Sequence, residues 1–348
     1  MTFNISRRSV LTIAAGGAML GGRAAQAAIP GRDIYPVAIP VYAAHFVAHR
    51  QGFYTDAGLD VKMVQGGSGV KMREIVASGQ GDIGIGDITH PMQLTNHGRI
   101  AKVLMAVDSR NNNTVFIIRK DLYDQGITTL EAFAKWKRPD GRKPILGVSS
   151  IGGTAHVWAS YYMELFKLDQ AVTWIGAGDV ETMLGVLKTK QIDVLDSSPS
   201  LLKESEEHGW GKLIFDGSTE ANWNKYIGGK VPATAHFTLQ STAQKEPAKI
   251  QAFTDGLWRA TQWIKTHSPE EIYGSIEPYV GSTSHDANVY EIGLMKEITD
   301  YDGTIDAASY ERGSKVWFRE LTGITPLKYD DVVAPEFLAA AKKKYPNG

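Results

Sequence analysis

Short apolar runs alternate with helix-like patterns through the first third of the chain. The predicted strands are 35–39, 61–64, 83–85, 103–107 and 115–118, and the predicted helices between them include 44–51 and 70–78. Strands that alternate with helices are typical of βαβ units, so the pattern predicts an α/β fold with a parallel sheet.

The same pattern begins again after a polar segment at 121–141. It predicts strands at 145–148, 172–175, 192–195, 213–215 and 233–239, with helices at 154–166, 180–189 and 201–207. Residues 247–345 are mainly helical in pattern and have no sheet of their own to cover. We therefore predict two α/β lobes: lobe I from 28–120 plus 235–348, and lobe II from 121–234, joined by crossings near 118–120 and 235–237.

The first 27 residues have the features of an export signal. Arg7-Arg8 precedes a run of small and apolar residues at 10–22, and Ala25-Gln26-Ala27 suits a signal peptidase. The run is shorter than the roughly 20 apolar residues that cross a bilayer. We predict a twin-arginine-type signal peptide at 1–27 and a periplasmic mature protein. The alternative is an N-terminus that stays attached.

Composition narrows the class of function. The 348 residues include 37 Lys+Arg, 38 Asp+Glu and no cysteine. Removal of 1–27, which holds three arginines and no acids, leaves 34 positive and 38 negative residues, a net charge of −4. This balance gives no basic footprint for nucleic acid, and the lack of cysteine excludes thiol nucleophiles and cysteine-based metal sites.

No motif predicts a metal, a cofactor or a catalytic group. His45 and His49 have the i, i+4 spacing of zinc ligands, but Phe46 stands where the metalloprotease motif needs glutamate, and no third ligand is near. Neither a P-loop nor a dinucleotide fingerprint is present. We expect no metal, no cofactor and no catalytic residue.

The most informative candidate segment is Ser149-Ser150-Ile151-Gly152-Gly153-Thr154, which joins a predicted strand to a predicted helix. Ligands of open α/β sheets bind beyond the carboxyl ends of the strands, and free backbone N–H groups at a helix N-terminus favour an anion. Ser149, Ser150, Gly153 and Thr154 are therefore predicted to bind the ligand. The alternative is that Gly153 or Thr154 only caps the helix.

Three further residues occupy comparable loops. Asp87 and Asp196 each end an apolar strand, where a carboxylate could accept hydrogen bonds from an amine or a ring N–H. Each could instead be a turn or cap residue. Tyr42, after the first strand, could stack on or hydrogen-bond to the ligand, or could be an aromatic at the rim.

Several of these segments resemble one known family. Residues 42–48, 52–54 and 57–61, followed by Gly66-Gly67 and residues 75–84, resemble the opening region of periplasmic solute-binding proteins of ABC importers. This family serves nitrate, sulfonates, taurine and thiamine-pyrimidine precursors. The resemblance implies a type II periplasmic-binding-protein fold, a membrane permease as partner, a small-molecule ligand and a monomeric protein.

The resemblance also suggests a ligand class. Residues 152–156 are similar to the sulfonate and taurine branch, so a sulfonate or taurine-like anion is favoured. No Arg or Lys lies in the candidate loops, however, and the aromatic residues Tyr42, Trp158, Tyr161 and Trp174 suit a ligand with some organic surface. Two alternatives remain: an enzyme of the same fold in thiamine-pyrimidine metabolism, and a ligand-sensing module for a membrane signalling partner.

Overall fold

The computed structural model describes residues 27–348, so the predicted signal peptide, apart from Ala27, lies outside the described residues. The described chain contains two five-stranded sheets surrounded by helices, which confirms the α/β class. No helix among these residues is long and apolar enough to cross a membrane.

Ten strands form the two sheets. They are β1 (Ile29–Tyr35), β2 (Leu59–Gln65), β3 (Ile83–Asp87), β4 (Ala101–Ala106), β5 (Val115–Arg119), β6 (Ile145–Val148), β7 (Thr173–Gly176), β8 (Val194–Ser197), β9 (Gly211–Asp216) and β10 (Thr234–Leu239). Sheet I has the order β2-β1-β3-β10-β4 and sheet II the order β7-β6-β8-β5-β9.

The helices cover both sheets. They are α1 (Ala43–Arg50), α2 (Phe53–Asp56), α3 (Gly69–Ala77), α4 (Thr89–Asn96), α5 (Lys120–Tyr123), α6 (Leu130–Lys135), α7 (Thr154–Leu165), α8 (Val180–Lys188), α9 (Pro199–Glu207), α10 (Glu220–Tyr226), α11 (Gln240–Lys245), α12 (Pro247–Thr266), α13 (Pro269–Ile276), α14 (His285–Ile298), α15 (Ala307–Trp317), α16 (Tyr329–Val332) and α17 (Pro335–Lys344).

The sheets are mixed rather than parallel as predicted. β1 pairs in parallel with β2 and β3, and β6 pairs in parallel with β7 and β8. β10 runs antiparallel to β3 and β4, and β5 runs antiparallel to β8 and β9. Each antiparallel strand is the first one that the chain forms after it crosses from one sheet to the other.

This topology moves the first crossing to an earlier position. Residues 115–119 were expected in lobe I, but they form β5 inside sheet II, so the predicted boundary at 120 is one strand too late. The first crossing is 107–114, and the second is 227–233. Below, lobe I denotes residues 27–106 and 234–348, and lobe II denotes residues 115–226.

The first strand also differs from the prediction, which placed it at 35–39. β1 lies at Ile29–Tyr35 and contains Asp33, which is fully buried. A polar residue in a buried strand breaks the apolar pattern, and Asp33 is tolerated there because it pairs with His45 of α1.

The C-terminal helices pack on lobe I but also contact lobe II. α12 packs against α1, α2 and α17, whereas α14 contacts α9, and α15 contacts α7. An apolar cluster spans both lobes: it joins Trp158 of α7 and Trp223 of α10 to Met92 and Trp317 of lobe I. The lobes are thus held together by more than the two crossings.

Candidate functional site

A small cavity lies between the two lobes. Its volume is about 30 Å³, room for roughly two water molecules. The lining comes from lobe I, the first crossing and lobe II: Pro36, Val37, Ile39, Tyr42, Gly69, Asn113, Ser149, Thr154, Ala155, Met183 and Ser197. Apart from Asn113, which precedes β5, these residues lie at or after the carboxyl ends of β1, β2, β6, β7 and β8. The cavity therefore lies where an open α/β fold is expected to bind its ligand.

Helix N-termini from both lobes meet at this cavity. Thr154 begins α7 and Gly69 begins α3, and both residues line the cavity. Gly153, the N-cap of α7, has no side chain to cap the helix, so backbone N–H groups of its first turn remain available. A Cβ atom on Gly69 would lie 3.7 Å from the Gly153 Cα, so the two lobes approach closely here.

Tyr42 of lobe I and Thr154 of lobe II both line the cavity. Their exposed fractions are only 3% and 8%. Burial, and then the nearby Asp87 and Asp108 carboxyls, raise the pKa of the Tyr42 hydroxyl. The hydroxyl therefore stays protonated and can donate a hydrogen bond.

The structure brings only part of the predicted site together. Tyr42, Ser149 and Thr154 line the cavity, and Ser150 and Gly153 lie directly beside it. The Gly153 N–H donates to the Ser150 carbonyl at 3.1 Å, and the Ser150 Oγ is buried without a hydrogen-bond partner. Asp87 and Asp196 are not among the lining residues.

Asp87 connects the lobes behind the cavity. One carboxylate oxygen accepts from the Thr89 N–H at 2.8 Å and from its hydroxyl at 2.5 Å, and the other accepts from the Trp158 Nε1–H at 3.2 Å. Burial raises the pKa of Asp87 to about 6, although these hydrogen bonds oppose the rise. The Thr89 bonds correspond to the turn-and-cap alternative that the sequence left open.

Asp196 does not line the cavity, although its neighbour Ser197 does. Successive residues of a strand point to opposite faces, so Ser197 reaches the cavity and Asp196 does not. Both Asp196 oxygens are buried without a hydrogen-bond partner. Burial and the nearby Asp216 raise the pKa of Asp196 well above its usual value.

The aromatic residues other than Tyr42 have structural contacts away from the cavity. Trp158 is fully buried between the lobes, Tyr161 lies beneath the Arg319 guanidinium, and Trp174 packs edge-on against His156. These three residues therefore do not line the cavity, because Trp158 and Tyr161 of α7 and Trp174 of β7 pack against other elements.

The two spaced histidines do not meet at a metal site. The His45 ring pairs with Asp33 and lies 2.6 Å from His236, whereas the His49 ring is hydrogen-bonded to the Tyr279 hydroxyl at 2.6 Å. Within residues 27–348, no group of three or more His, Asp or Glu side chains is arranged to hold a metal ion.

Sequence reasoning missed several lining residues. Asn113 lies in the first crossing, and Val37 and Met183 are apolar residues without a local signal. Two others had weak signals: Ser197 follows Asp196 in a candidate loop, and Gly69 follows the Gly66-Gly67 segment that carries part of the family resemblance.

Asp108 links the two crossings at the base of the site. Its Oδ1 accepts from the Ala233 and Thr234 N–H groups at 2.7 and 3.1 Å. Burial raises the pKa of Asp108 to about 7, and the nearby Asp87 raises it slightly further, whereas the hydrogen bonds from Ala233 and Thr234 lower it. An acid with a raised folded-state pKa destabilises the fold when it ionises, so its cost grows as the pH rises from about 4 to about 7.

Asp108→Asn should therefore change stability in a pH-dependent way. The free energy of unfolding of the variant, relative to that of the unmodified protein, should rise by roughly 2–3 kcal/mol from pH 5 to pH 8. The reason is that the variant has no carboxyl at this position to ionise. Urea denaturation at both pH values measures this difference. The exposed Asp60→Asn is the control. Equal shifts in the two variants would contradict the raised pKa of Asp108.

Comparison with protein families identifies one match over most of the chain. A family model described as NMT1-like matches residues 37–274. Among curated proteins, the chain is 23% identical over 266 residues to the putative binding protein YtlA of Bacillus subtilis, a match that covers 75% of this chain and 73% of the relative.

Solved structures show the same fold. A protein from Bordetella bronchiseptica RB50 superimposes with a TM-score of 0.77 and 21% identity, over 92% of this chain and 99% of that one. The periplasmic nitrate-binding protein NrtA from Synechocystis PCC 6803 gives a TM-score of 0.69 and 17% identity, over 91% of this chain and 89% of that one. The expected periplasmic-binding-protein fold is confirmed.

Proposed function

The chain belongs to the NMT1-like family, and from this membership we propose that it is the extracytoplasmic solute-binding component of an ABC importer. In this role it would capture a small polar organic molecule between its lobes and deliver it to a permease in the membrane. The proposal includes periplasmic location, a monomeric state and release of the ligand without chemical conversion.

The observation that carries the proposal is the cavity lined from both lobes. A ligand held by Tyr42 of lobe I and by Ser149 and Thr154 of lobe II would gain contacts only when the lobes are closed on each other. Such a ligand favours the closed population by its difference in affinity for the two states. This coupling is what a binding protein needs in order to signal its loaded state.

Two ligand classes compete within this function. A sulfonate or taurine-like anion is favoured by the family resemblance and by the helix N-termini at the cavity, each of which contributes about 0.3–1 kcal/mol. An uncharged molecule is favoured because no lining residue carries a positive charge. Burial of an unpaired ion costs several kcal/mol, which two helix ends alone do not offset.

Native mass spectrometry of the protein purified from its periplasmic or extracellular fraction tests the proposal. We expect a small molecule that is retained in the native spectrum, released on denaturation and chemically unchanged. Loss of uptake of that molecule in a strain without the gene would support transport over sensing. A molecule that is converted during incubation would instead favour the enzyme alternative.

Thr154→Ala should weaken binding of the retained molecule by about tenfold to a hundredfold. Removal of one hydrogen-bonding partner in a buried site costs about 1–3 kcal/mol, or one to two decades of affinity. Tyr42→Phe should have a similar effect without a large loss of stability. Calorimetry measures both, with the exposed Thr173→Ala as control. Unchanged affinity in both site variants would place the ligand elsewhere.

A further inference from the structure

The polar side chains of the cavity lining offer hydrogen-bond donors. Four of them are the hydroxyl groups of Tyr42, Ser149, Thr154 and Ser197, which can donate as well as accept. The fifth is Asn113, which is 4% exposed; its Oδ1 is buried, and its amide nitrogen faces the cavity. The N-termini of α3 and α7 add backbone N–H groups. The lining therefore suits a ligand group that accepts hydrogen bonds.

Two arginine residues lie beside this lining. Arg73 is one turn after Gly69 on α3, so the two residues share a face of the helix. Burial, and then the charge of Arg73, lower the pKa of His90 to about 3, and the His90 Nε2 lies 2.9 Å from the place of a Cβ atom on Gly69. Arg110 lies three residues before Asn113 in the first crossing. Each arginine is thus a neighbour of a lining residue.

The charges of these arginines are only weakly paired within the protein. The Arg73 Nη1 and the Arg110 Nε are buried without a hydrogen-bond partner. The acids that act on them are exposed: Glu74 beside Arg73, and Glu297 at 3.8 Å from Arg110. Exposed pairs contribute little, so an anion in the cavity would interact with both charges. The arginines thereby supply what the two helix ends lack.

Three acidic residues near the cavity do not cancel this preference. Asp87, Asp108 and Glu291 are at most 1% exposed, and none of them lines the cavity. Burial raises the pKa of each, to about 6 for Asp87 and about 7 for Asp108, which reduces their negative charge. Each carboxyl also accepts a hydrogen bond from a backbone N–H group. The donors that face the cavity remain available to a ligand.

The size of the cavity narrows the kind of anion. Its volume of about 30 Å³ gives room for roughly two water molecules, which is the room that the two oxygens of one carboxylate group need. A sulfonate group has a third oxygen. The apolar side chains of Val37, Ile39 and Met183 line the same cavity and can cover the adjoining carbon atoms.

We infer that the cleft binds a small organic acid through its carboxylate group, that Asn113 donates a hydrogen bond to this group, and that Arg73 and Arg110 set the preference for an anion. The inference rests on the proposed function and narrows its ligand class to carboxylates, in place of sulfonates and uncharged molecules. The arginines determine specificity through their charge, which an uncharged ligand of the same shape does not feel.

Two measurements on the unmodified protein test the ligand class. The molecule that is retained in native mass spectrometry should contain a carboxyl group. Acetate should bind at least about tenfold more tightly than acetamide or methanesulfonate, and benzoate than benzamide, in ligand-observed NMR at constant pH and ionic strength. A retained molecule without a carboxyl group, or tighter binding of the amides or of methanesulfonate, would overturn the inference and leave the proposed function standing.

Arg73→Gln and Arg110→Gln test the role of charge. Each variant should weaken binding of the carboxylate probes at least about tenfold and leave binding of the amides unchanged, since only the anion interacts with the lost charge. The exposed Arg50→Gln is the matched control and should change neither. Equal weakening of both members of a pair would show a purely structural role and would overturn the assignment of that arginine.

Asn113→Asp tests the donor. The substitution keeps the shape of the side chain but replaces the amide nitrogen by an acceptor, so carboxylate binding should weaken at least about tenfold. The exposed Asn224→Asp should leave it unchanged. Unchanged binding in Asn113→Asp would overturn the role of Asn113. If this variant does not fold, the probes and the retained molecule still decide the ligand class. Failure of every probe, together with no retained molecule, would refute the proposed function itself.

Discussion

Asp33→Ala is expected to lower the free energy of unfolding by about 3–5 kcal/mol, because each buried polar group left without a partner costs about 1–3 kcal/mol. Asp33 of β1 accepts from the Tyr54 hydroxyl at 2.6 Å and pairs with the His45 ring, and all three side chains are at most 1% exposed. The substitution leaves two buried polar groups without partners. Urea denaturation followed by circular dichroism measures the loss.

Asp60→Ala is the matched control for this substitution. Asp60 lies on the neighbouring strand β2 and is exposed, so its removal should change the free energy of unfolding by no more than about 0.5 kcal/mol. A loss below about 1 kcal/mol in Asp33→Ala would contradict the importance of the buried pair.

The Asp33 pair also connects the core to the site. His45 belongs to α1, whose N-terminal end holds Tyr42, and its ring is hydrogen-bonded to His236 of β10 at 2.6 Å. Burial, with a further contribution from His45, lowers the pKa of His236 well below its usual value. The network therefore fixes α1 against both β1 and β10, and so it positions the Tyr42 hydroxyl at the cavity.

The fold was largely predictable because its elements have local signatures. The strand at Ile145–Val148 and the helix that begins at Thr154 were predicted from periodicity and from the glycines between them. The lobe assignment of Val115–Arg119 was not predictable in this way. A fully buried strand has the same apolar pattern in either sheet, and only its long-range pairing with β8 and β9 decides its place.

The site was predictable only where chain position reveals it. Tyr42, Ser149 and Thr154 follow strand ends, and the structure places them at the cavity. Asp87 and Asp196 also lie at strand ends, but neither residue lines the cavity, and a sequence does not show which way such a side chain turns. Asn113 has no motif at all, because its position depends on the path of the crossing.

The contacts of Arg319 were the least predictable, since they join residues far apart in the chain. Arg319 donates to Glu164 and to the Val157 carbonyl, both at 2.7 Å, and to the Ser160 hydroxyl at 3.1 Å. The nearby Thr325 is tied to lobe I by two hydrogen bonds with Asn96. Arg319 therefore extends from the lobe I side to hold helix α7 of lobe II, whose N-terminus lines the cavity.

Arg319→Ala should shift the lobes toward an open arrangement and weaken apparent ligand affinity. The Arg319 and Glu164 side chains are 11% and 32% exposed. Because the pair is only partly buried, we expect its removal to destabilise the closed arrangement by about 2 kcal/mol, less than removal of a fully buried pair. That loss would change the ratio of open to closed molecules by about thirtyfold. Small-angle X-ray scattering should show a larger radius of gyration without ligand, and calorimetry should show weaker binding.

Arg259→Ala separates this effect from a general loss of stability. Arg259 is also partly buried, and its ion pair with Asp56 at 3.0 Å stays within lobe I, so its removal should lower stability without a change in the radius of gyration. If Arg319→Ala kept both the radius of gyration and the affinity of the unmodified protein, Arg319 would not stabilise the closed arrangement. The apolar cluster around Trp158 would then be the contact that holds the lobes together.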